Sequence, residues 1–557
     1  MVETLDPFEG TTNLSSALGE VFERFANLLR ENDVRKIAQV LASHARHSLD
    51  REDSLTKDDQ FGSLGGLLLS FADIALKDLV FGLDSTSETI MEFLIVHMKR
   101  HDEIESQDSQ SSRALDFWIN YIEFIQNAED GCDSNVKSLA HETACRRVLE
   151  IVWAGWSRVC RPSNGSTDVW DAEEASQSNL FRVDFQELVQ TAYVLFGTPL
   201  LNQFADKAIS LDRRTQWPQI EASLYVINAL NESSAPQEAA TGGILSKLLS
   251  SSLFEGDTSL DCVVLERAKL RTIMLYSNFF RDHPETFASL FDWLFGALEH
   301  PEIDELAAQA ISSVCSTCSN QLHSALATFI GQFIALLLSD HLNTAVLERL
   351  STAISSIIQT LKPETEKLSP LTAMLQAIDS RFRTATDTLM TSSSQAEDVT
   401  LVSVRCLAAM GKALRAPDEA VIEIDQDNDQ FSYWASVESA SLQQAVVDIL
   451  FTASTVFAGS SEIIEAACWS IRAGHLETKP GLFVFAPEVM ADYVELVNLG
   501  TARLEYVFET AGHMLVKQTS GTGTQKQKVA YRVLNHAKRL LEISNGKRFV
   551  YKRGSYG

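Results

Sequence analysis

An all-α, right-handed α-solenoid of antiparallel helix pairs is the fold this chain predicts, on three observations. Apolar residues recur at helical spacing over most of its 557 residues, the helices come in pairs joined by short Pro- or Gly-marked breaks, and the pairs restart at a steady interval. The middle of the chain shows this most plainly. In 284–298 the apolar positions are Phe287, Leu290, Phe291, Leu294, Phe295 and Leu298, one stripe of an α-helix. Pro301 restarts the chain, and 301–320 carries Ile303, Leu306, Ala307, Ala310, Ile311, Val314, Cys315 and Cys318 at steps of three and four. Two such helices joined by one turn cannot bury their faces alone and need similar neighbours on each side.

The elements follow in order. Segments 18–30 and 34–49 read as a first helix pair, 64–81 and 88–100 as a second, and 114–125 and 137–161 as two further helices. In 162–179 Pro, Asn, Gly, Ser and acids replace apolar periodicity, which predicts a long acidic loop. Helix signals resume at 180–195, 200–211, 216–230 and 243–254. Then 262–280 pairs with 284–298, 301–319 with 321–338, and 343–361 with 368–389. First helices starting near 216, 262, 301 and 343 give a period of about 40–46, the range of HEAT and armadillo units at roughly 40–47 residues. Further on, 399–414 and 438–457 flank a second acidic loop at 416–430, followed by 461–475, 487–499 and 502–516, and a Gly/Thr turn precedes a basic helix at 526–543. The expected organisation is N-terminal helices over 1–60, a HEAT-type solenoid over 61–515, and a basic C-terminal tail with one helix over 516–557.

Composition narrows the function. With 46 Lys and Arg against 75 Asp and Glu the formal charge is −29, and 45% of the residues are apolar. From Lys517 to Arg553 ten basic residues face the single acid Glu542, so the 516 residues before them carry about −38. Such a field repels nucleic acid and draws in basic protein surfaces. The eight cysteines are scattered, several on apolar stripes, as in a reducing compartment, and no signal peptide is visible. The stretch 306–339 lacks Asp, Glu, Lys and Arg, yet its more apolar half, 324–339, would reach only about 24 Å as a helix against a bilayer core of roughly 30 Å. It reads as a buried solenoid helix, with no membrane partner.

Motifs for catalysis or metal binding fail on spacing. Asp425, Asp427 and Asp429 begin like a calcium loop, but Gln430 stands where Gly is needed and Ser436 where Glu is needed. His141, Glu142 and Cys145 lack the second histidine of a zinc helix, and Cys315 and Cys318 form one C-x-x-C late on a helix stripe, where packing explains them. Gly521 to Lys526 lacks phosphate-loop spacing and follows no strand. No enzyme and no cofactor are expected. The candidate partner-binding residues lie instead in the two acidic loops: Asp168, Asp171, Glu173 and Glu174 around Trp170 in the first, and Glu423, Asp425, Asp427 and Asp429, with Glu419, in the second. Long loops between solenoid helices are where binding elements sit, and a Trp among acids suits a basic partner with apolar anchors.

Several ordered motifs carry a resemblance. Trp217, Ile220-Glu221-Ala222 and Leu224-Tyr225-Val226-Ile227 resemble the W-x-x-x-E-A-x-L-F helix of the importin-13/transportin-3 branch of the importin-β superfamily, the karyopherins. Ala114-Leu115-Asp116-Phe117-Trp118 is similar to that family's F-x-F-W helix, and an acidic insertion followed by Phe181-Arg182 and Leu188-Val189 matches another landmark. Ile464-Glu465-Ala466-Ala467-Cys468 and Phe485-Ala486-Pro487 resemble the importin-13 side. The resemblance spans roughly 61–515. It implies a nuclear transport receptor shuttling between nucleus and cytoplasm, with protein cargo on a concave face, passage through the pore on nucleoporins, and cargo exchange against the GTP-bound Ran GTPase. Two departures bear on that expectation. Family members run near twice this length, and no counterpart of their N-terminal Ran-binding repeats is found before Leu64, so a central segment, or an altered Ran response, is expected. The matching 461–475 helix offers only Arg472 where transportin-3 has an arginine-rich helix for phosphorylated Arg-Ser domains. A HEAT scaffold outside transport shares the architecture but not the ordered motifs.

Overall fold

The computed structural model describes residues 11–25, 28–50, 59–82, 84–99, 108–128, 135–160, 172–231, 238–254, 262–339, 343–387, 393–415, 434, 436–477, 479–517 and 523–553. Among these are 24 α-helices, joined by turns and short 3₁₀ segments, and no strand. They fall into two compact units, Met1–Leu275 and Tyr276–Gly557.

The first unit holds α1 Thr11–Phe25, α2 Glu31–Leu49, α3 Asp59–Ile74, α4 Leu76–Phe81, α5 Ser85–Lys99, α6 Asp108–Ala128, α7 Asn135–Val159, α8 Ala172–Phe196, α9 Thr198–Ser210, α10 Trp217–Ala229, α11 Glu238–Leu249 and α12 Val263–Leu275. They stack in two layers. Helices α1, α3, α6, α8, α10 and α12 pack side by side in one; α2, α5 and α7 lie together in the other, as do α9 and α11, and the rings of Trp153 on α7 and Phe204 on α9 bridge them at 4.7 Å. Period-3.6 apolar faces on both layers meet between them, where Leu68, Phe71, Phe93, Leu115, Trp118, Val148, Leu188 and Phe204 are almost wholly buried. Each such side chain contributes roughly 1.5–3 kcal/mol relative to exposure.

Two local features depart from the periodicity reading. Helix α8 begins at Ala172, inside the stretch expected as a loop over 162–179, because Ala172-Glu173-Glu174-Ala175 are good helix formers and the acids favour the positive end of the dipole. Between α8 and α9 the chain needs one residue only, Gly197, whose φ of 62° is cheap for glycine alone; Pro199 then opens α9.

The second unit holds α13 Phe279–Asp282, α14 Phe287–Ala297, α15 Asp304–Thr317, α16 Leu326–Leu337, α17 Thr344–Gln359, α18 Leu368–Asp387, α19 Ser393–Ala413, α20 Val437–Val456, α21 Ser461–Arg472, α22 Pro487–Leu496, α23 Leu504–Lys517 and α24 Gly523–Arg553. One layer is α15, α17, α19, α21 and α23; the other runs from α16 through α18, α20 and α22 to α24, with α14 lying against α15. Of the α15 stripe, Ile303, Ala307, Ala310, Ile311, Val314, Cys315 and Cys318 are buried, and Phe291 and Phe295 of α14 meet Phe329 of α16 edge-on at 4.7 and 5.2 Å. The 284–298 and 301–318 segments do form a hairpin. The pairing continues in that phase: α16 packs closely on α17, and α18 on α19, whereas the period count paired 301–319 with 321–338 and 343–361 with 368–389. Each helix in such a stack packs on its layer neighbours as well as on a chain neighbour, so apolar period alone does not set the phase.

Sequence also fixes helix starts. Asn343 caps α17, accepting from the Ala345 and Val346 amides at 3.0 and 3.4 Å, while its Nδ2 donates to Asp304 Oδ2 at 2.8 Å and ties α17 to α15. A cap of this kind stabilises by about 1 kcal/mol. At the far end, α24 lies against α22: Arg532 bridges Asp492 and Glu495 at 2.6 and 2.7 Å, Gln525 donates to Glu488 at 2.7 Å, and Val529, Val533, His536 and Leu540 are buried.

Candidate functional site: binding surfaces on the helix layers

Of the loop residues expected to bind a partner, Asp168, Trp170, Asp171, Glu419, Glu423, Asp425, Asp427 and Asp429 lie outside the described residues. Glu173 and Glu174 fall in the first turn of α8, with their side chains also outside them.

The motif residues have a different role, and it is structural. Arg182 on α8 and Glu221 on α10 form a bidentate ion pair, Nη1 to Oε1 at 2.8 Å and Nη2 to Oε2 at 2.7 Å, with each side chain 7% exposed. Arg182 Nη2 also donates to the Val159 carbonyl at 2.7 Å, at the end of α7, and Tyr225 Oη donates back to the Arg182 carbonyl at 2.6 Å. Trp156 Nε1 donates to Ser223 Oγ at 3.2 Å. Three helices, α7, α8 and α10, are thus pinned by one buried polar cluster, and planar guanidinium chemistry suits that fork geometry better than lysine would. The Phe117-Trp118 landmark is likewise core, both rings being essentially inaccessible.

Above Glu221 opens a groove of about 390 Å³ crossing three helices of one layer, its floor partly apolar through Ala268, Met274 and Leu275. Gln186 and Gln190 come from α8, Tyr225 and Asn228 from α10, and Arg271 from α12. Gln190 Nε2 donates to the Ala229 carbonyl at 2.9 Å, whereas Asn228 Oδ1 is buried with no hydrogen-bond partner among the described residues. Amides in a row can pair with an extended peptide backbone independently of its sequence. Composition and motif spacing did not reveal this groove. The available signal was the recurrence of amide side chains at i, i+4 on α8 and of polar positions at i, i+3 on α10.

Cys315, Cys318, Cys406 and Cys468 are core residues, whereas Cys145, Cys160 and Cys262 are half-buried. Burial pushes the Cys406 and Cys468 thiols up to about 12, Cys318 to about 11, and Cys315 well above its ordinary value, which holds these four as neutral thiols near neutral pH. The His141 ring and Cys145 Sγ are 3.5 Å apart on one face of α7. Among the described residues no three His, Cys, Asp or Glu side chains converge as a metal would require, and no helix is long and apolar enough to cross a membrane.

Comparison with known proteins follows the geometry. The chain is 19% identical over 486 residues to the importin beta-like protein kap111 of Schizosaccharomyces pombe, a match covering 84% of this chain and 48% of the relative. The chain therefore spans about half the length of the curated relative it matches. Among solved structures it is similar to importin-13 in its cytosolic state, with a TM-score of 0.73, 14% identity, and coverage of 95% of this chain and 60% of that one. It is also similar to importin beta crystallised with ammonium sulfate, with a TM-score of 0.56, 15% identity, and coverage of 96% and 59%. No protein-family profile matches the sequence.

Proposed function

Taking the importin-β-type solenoid as the fold of this chain, we propose that it works as a nuclear transport receptor, or as part of one, in the importin-13/transportin-3 branch. The carrying observation is that one importin-13 chain overlays 95% of it at a TM-score of 0.73, with Arg182 and Glu221 of the quoted motifs clamping α8 to α10. In this reading the layered helices over 61–515 present protein cargo with a broad surface and carry out no chemistry. A net charge of −29 favours cargo with basic surfaces and speeds their encounter in a salt-dependent way. The loop acids Asp168, Asp171, Glu173, Glu174, Glu423, Asp425, Asp427 and Asp429, with Trp170 as an apolar anchor, are the proposed contacts for such cargo. Nucleoporins and Ran GTPase are the remaining partners, and the receptor shuttles between cytoplasm and nucleus.

Capture of partners from cell lysate with and without GTP-locked Ran tests the proposal. Recovered proteins should shift toward basic cargo in the absence of Ran and be released in its presence, with nucleoporins among those retained. Partners indifferent to the GTPase, together with no nucleoporin recovered, would remove the proposal's support.

A further inference from the structure

In a chain this acidic, a hollow lined by cations and, among the described residues, by no carboxylate opens at the adjoining ends of α19, α21 and α23. It holds about 260 Å³ between Arg415, Trp469, Arg472, His475, Leu476 and His513. The residues reach it through close backbone packing. Gly411 on α19 lies so near α21 that a Cβ there would stand 2.6 Å from Ala473 Cβ, and one turn later Arg415 Nε donates to the Ala473 carbonyl at 2.7 Å. On the last turn of α21 the Arg472 guanidinium lies 3.7 Å above the centre of the Trp469 ring. Trp469 is 46% exposed and Leu476 52%.

Pairing elsewhere sharpens the contrast. On α19 Arg405 bridges to Glu462 of α21 at 2.8 Å, and Arg503, just before α23, bridges to Glu465 and Glu505 at 2.9 and 3.1 Å. Arg415 and Arg472 form no ion pair among the described residues, nor does the exposed Lys412 one turn before Arg415. Stacking on the indole holds Arg472 in place and leaves its N–H fork open, so little side-chain entropy remains to be lost when a carboxylate docks. An exposed Trp and Leu beside two guanidinium groups that carry no ion pair among the described residues is the composition of an interface hot spot.

We propose that this hollow docks an acidic peptide segment of a partner protein, a carboxylate on Arg472 and Arg415 and a neighbouring apolar side chain on Trp469 and Leu476. The inference rests on the receptor reading and deepens it: beside basic cargo surfaces drawn by the overall field, one local patch selects the opposite charge. It also revises what the sequence offered at 461–475, where Arg472 stood alone, by adding Arg415 from α19 and His513 from α23.

A short fluorescent peptide rich in Asp and Glu with a single Leu, titrated into the full chain, tests it. Arg472→Glu and Trp469→Ala should each weaken binding about tenfold or more, the size of a hot-spot loss. Trp469→Phe, which keeps a ring, should weaken it less. Arg383→Glu on α18, where Arg383 already pairs with Asp379 at 2.8 Å, should leave it unchanged. Absence of binding by the wild-type chain overturns the proposal, as does equal weakening by Arg383→Glu, which would mean diffuse attraction. A Lys-rich peptide of the same length binding the patch overturns it, and so does peptide binding that emerges only when residues 416–430 are deleted, which would assign the patch to the chain's own acids. If Arg472→Glu leaves the peptide bound while Ran still releases cargo, this inference fails and the receptor reading stands.

Discussion

Glu221→Ala is the most informative single substitution in the first unit, because its cost can be worked from the geometry. The Arg182 guanidinium loses both carboxylate contacts, 2.8 and 2.7 Å, and keeps the Val159 carbonyl as its remaining described acceptor. At 7% exposure it cannot recover those bonds from water. Breaking a buried pair from one side costs about 3–5 kcal/mol, whereas replacing both partners by apolar groups of similar volume is often close to neutral. Opening of the α7–α8–α10 region should therefore become roughly a hundred- to several-thousand-fold more frequent in Glu221→Ala. Hydrogen exchange read by mass spectrometry on peptides from α8 and α10 measures this locally, which suits a stacked array whose unfolding need not be two-state. The double variant Arg182→Met/Glu221→Leu should recover most of the protection. A loss under about 1 kcal/mol in Glu221→Ala, or a double variant as weak as the single, would refute the assignment of this pair as the clamp.

Other perturbations give equally definite expectations. Burial pushes Lys269, fully inaccessible and bound to Glu266 at 2.9 Å, down to about 8 from its ordinary 10.5. Above about pH 8 the folded state releases this proton while the unfolded chain keeps it to about 10.5, so stability relative to Lys269→Met should rise over that window and stay flat below it, as denaturation at several pH values would show. In Gly411→Ala the new Cβ, 2.6 Å from Ala473 Cβ, should overpack α19 against α21 at about 1–3 kcal/mol, seen as faster exchange in both helices. Arg532→Glu replaces contacts at 2.6 and 2.7 Å with repulsion against Asp492 and Glu495, so exchange in α24 should rise about tenfold while α22 changes little.

What the sequence made legible follows from which forces act locally. Apolar period placed α14, α15 and α16 within a few residues of where they lie, since a stripe such as Ile303 to Cys318 has one way to be buried. Failed spacing at Cys315 and Cys318 anticipated their place in the core. Phase was harder: α16 packs on α17 and on α18, and only the packed structure shows which chain neighbour completes its pair. The start of α8 was hidden because Glu173 and Glu174 read as loop acids while also favouring a helix N-terminus. Clusters were invisible for a different reason. Arg182 and Glu221, or Arg415 and Trp469, are joined across the stack by helix packing, and their separation along the chain carries no trace of it. Motif resemblance marked Arg182 and Glu221 as special without saying that their work is internal.

The transport claim is tested most directly by nuclear entry. The chain, fused to an inert fluorescent protein large enough to block passive diffusion, is added to permeabilised cells with the unfused fluorescent protein as control. The account predicts staining of the nuclear rim and accumulation inside, with the control excluded. Exclusion of the fusion from both rim and interior, by a chain whose helices remain protected from exchange, would contradict it.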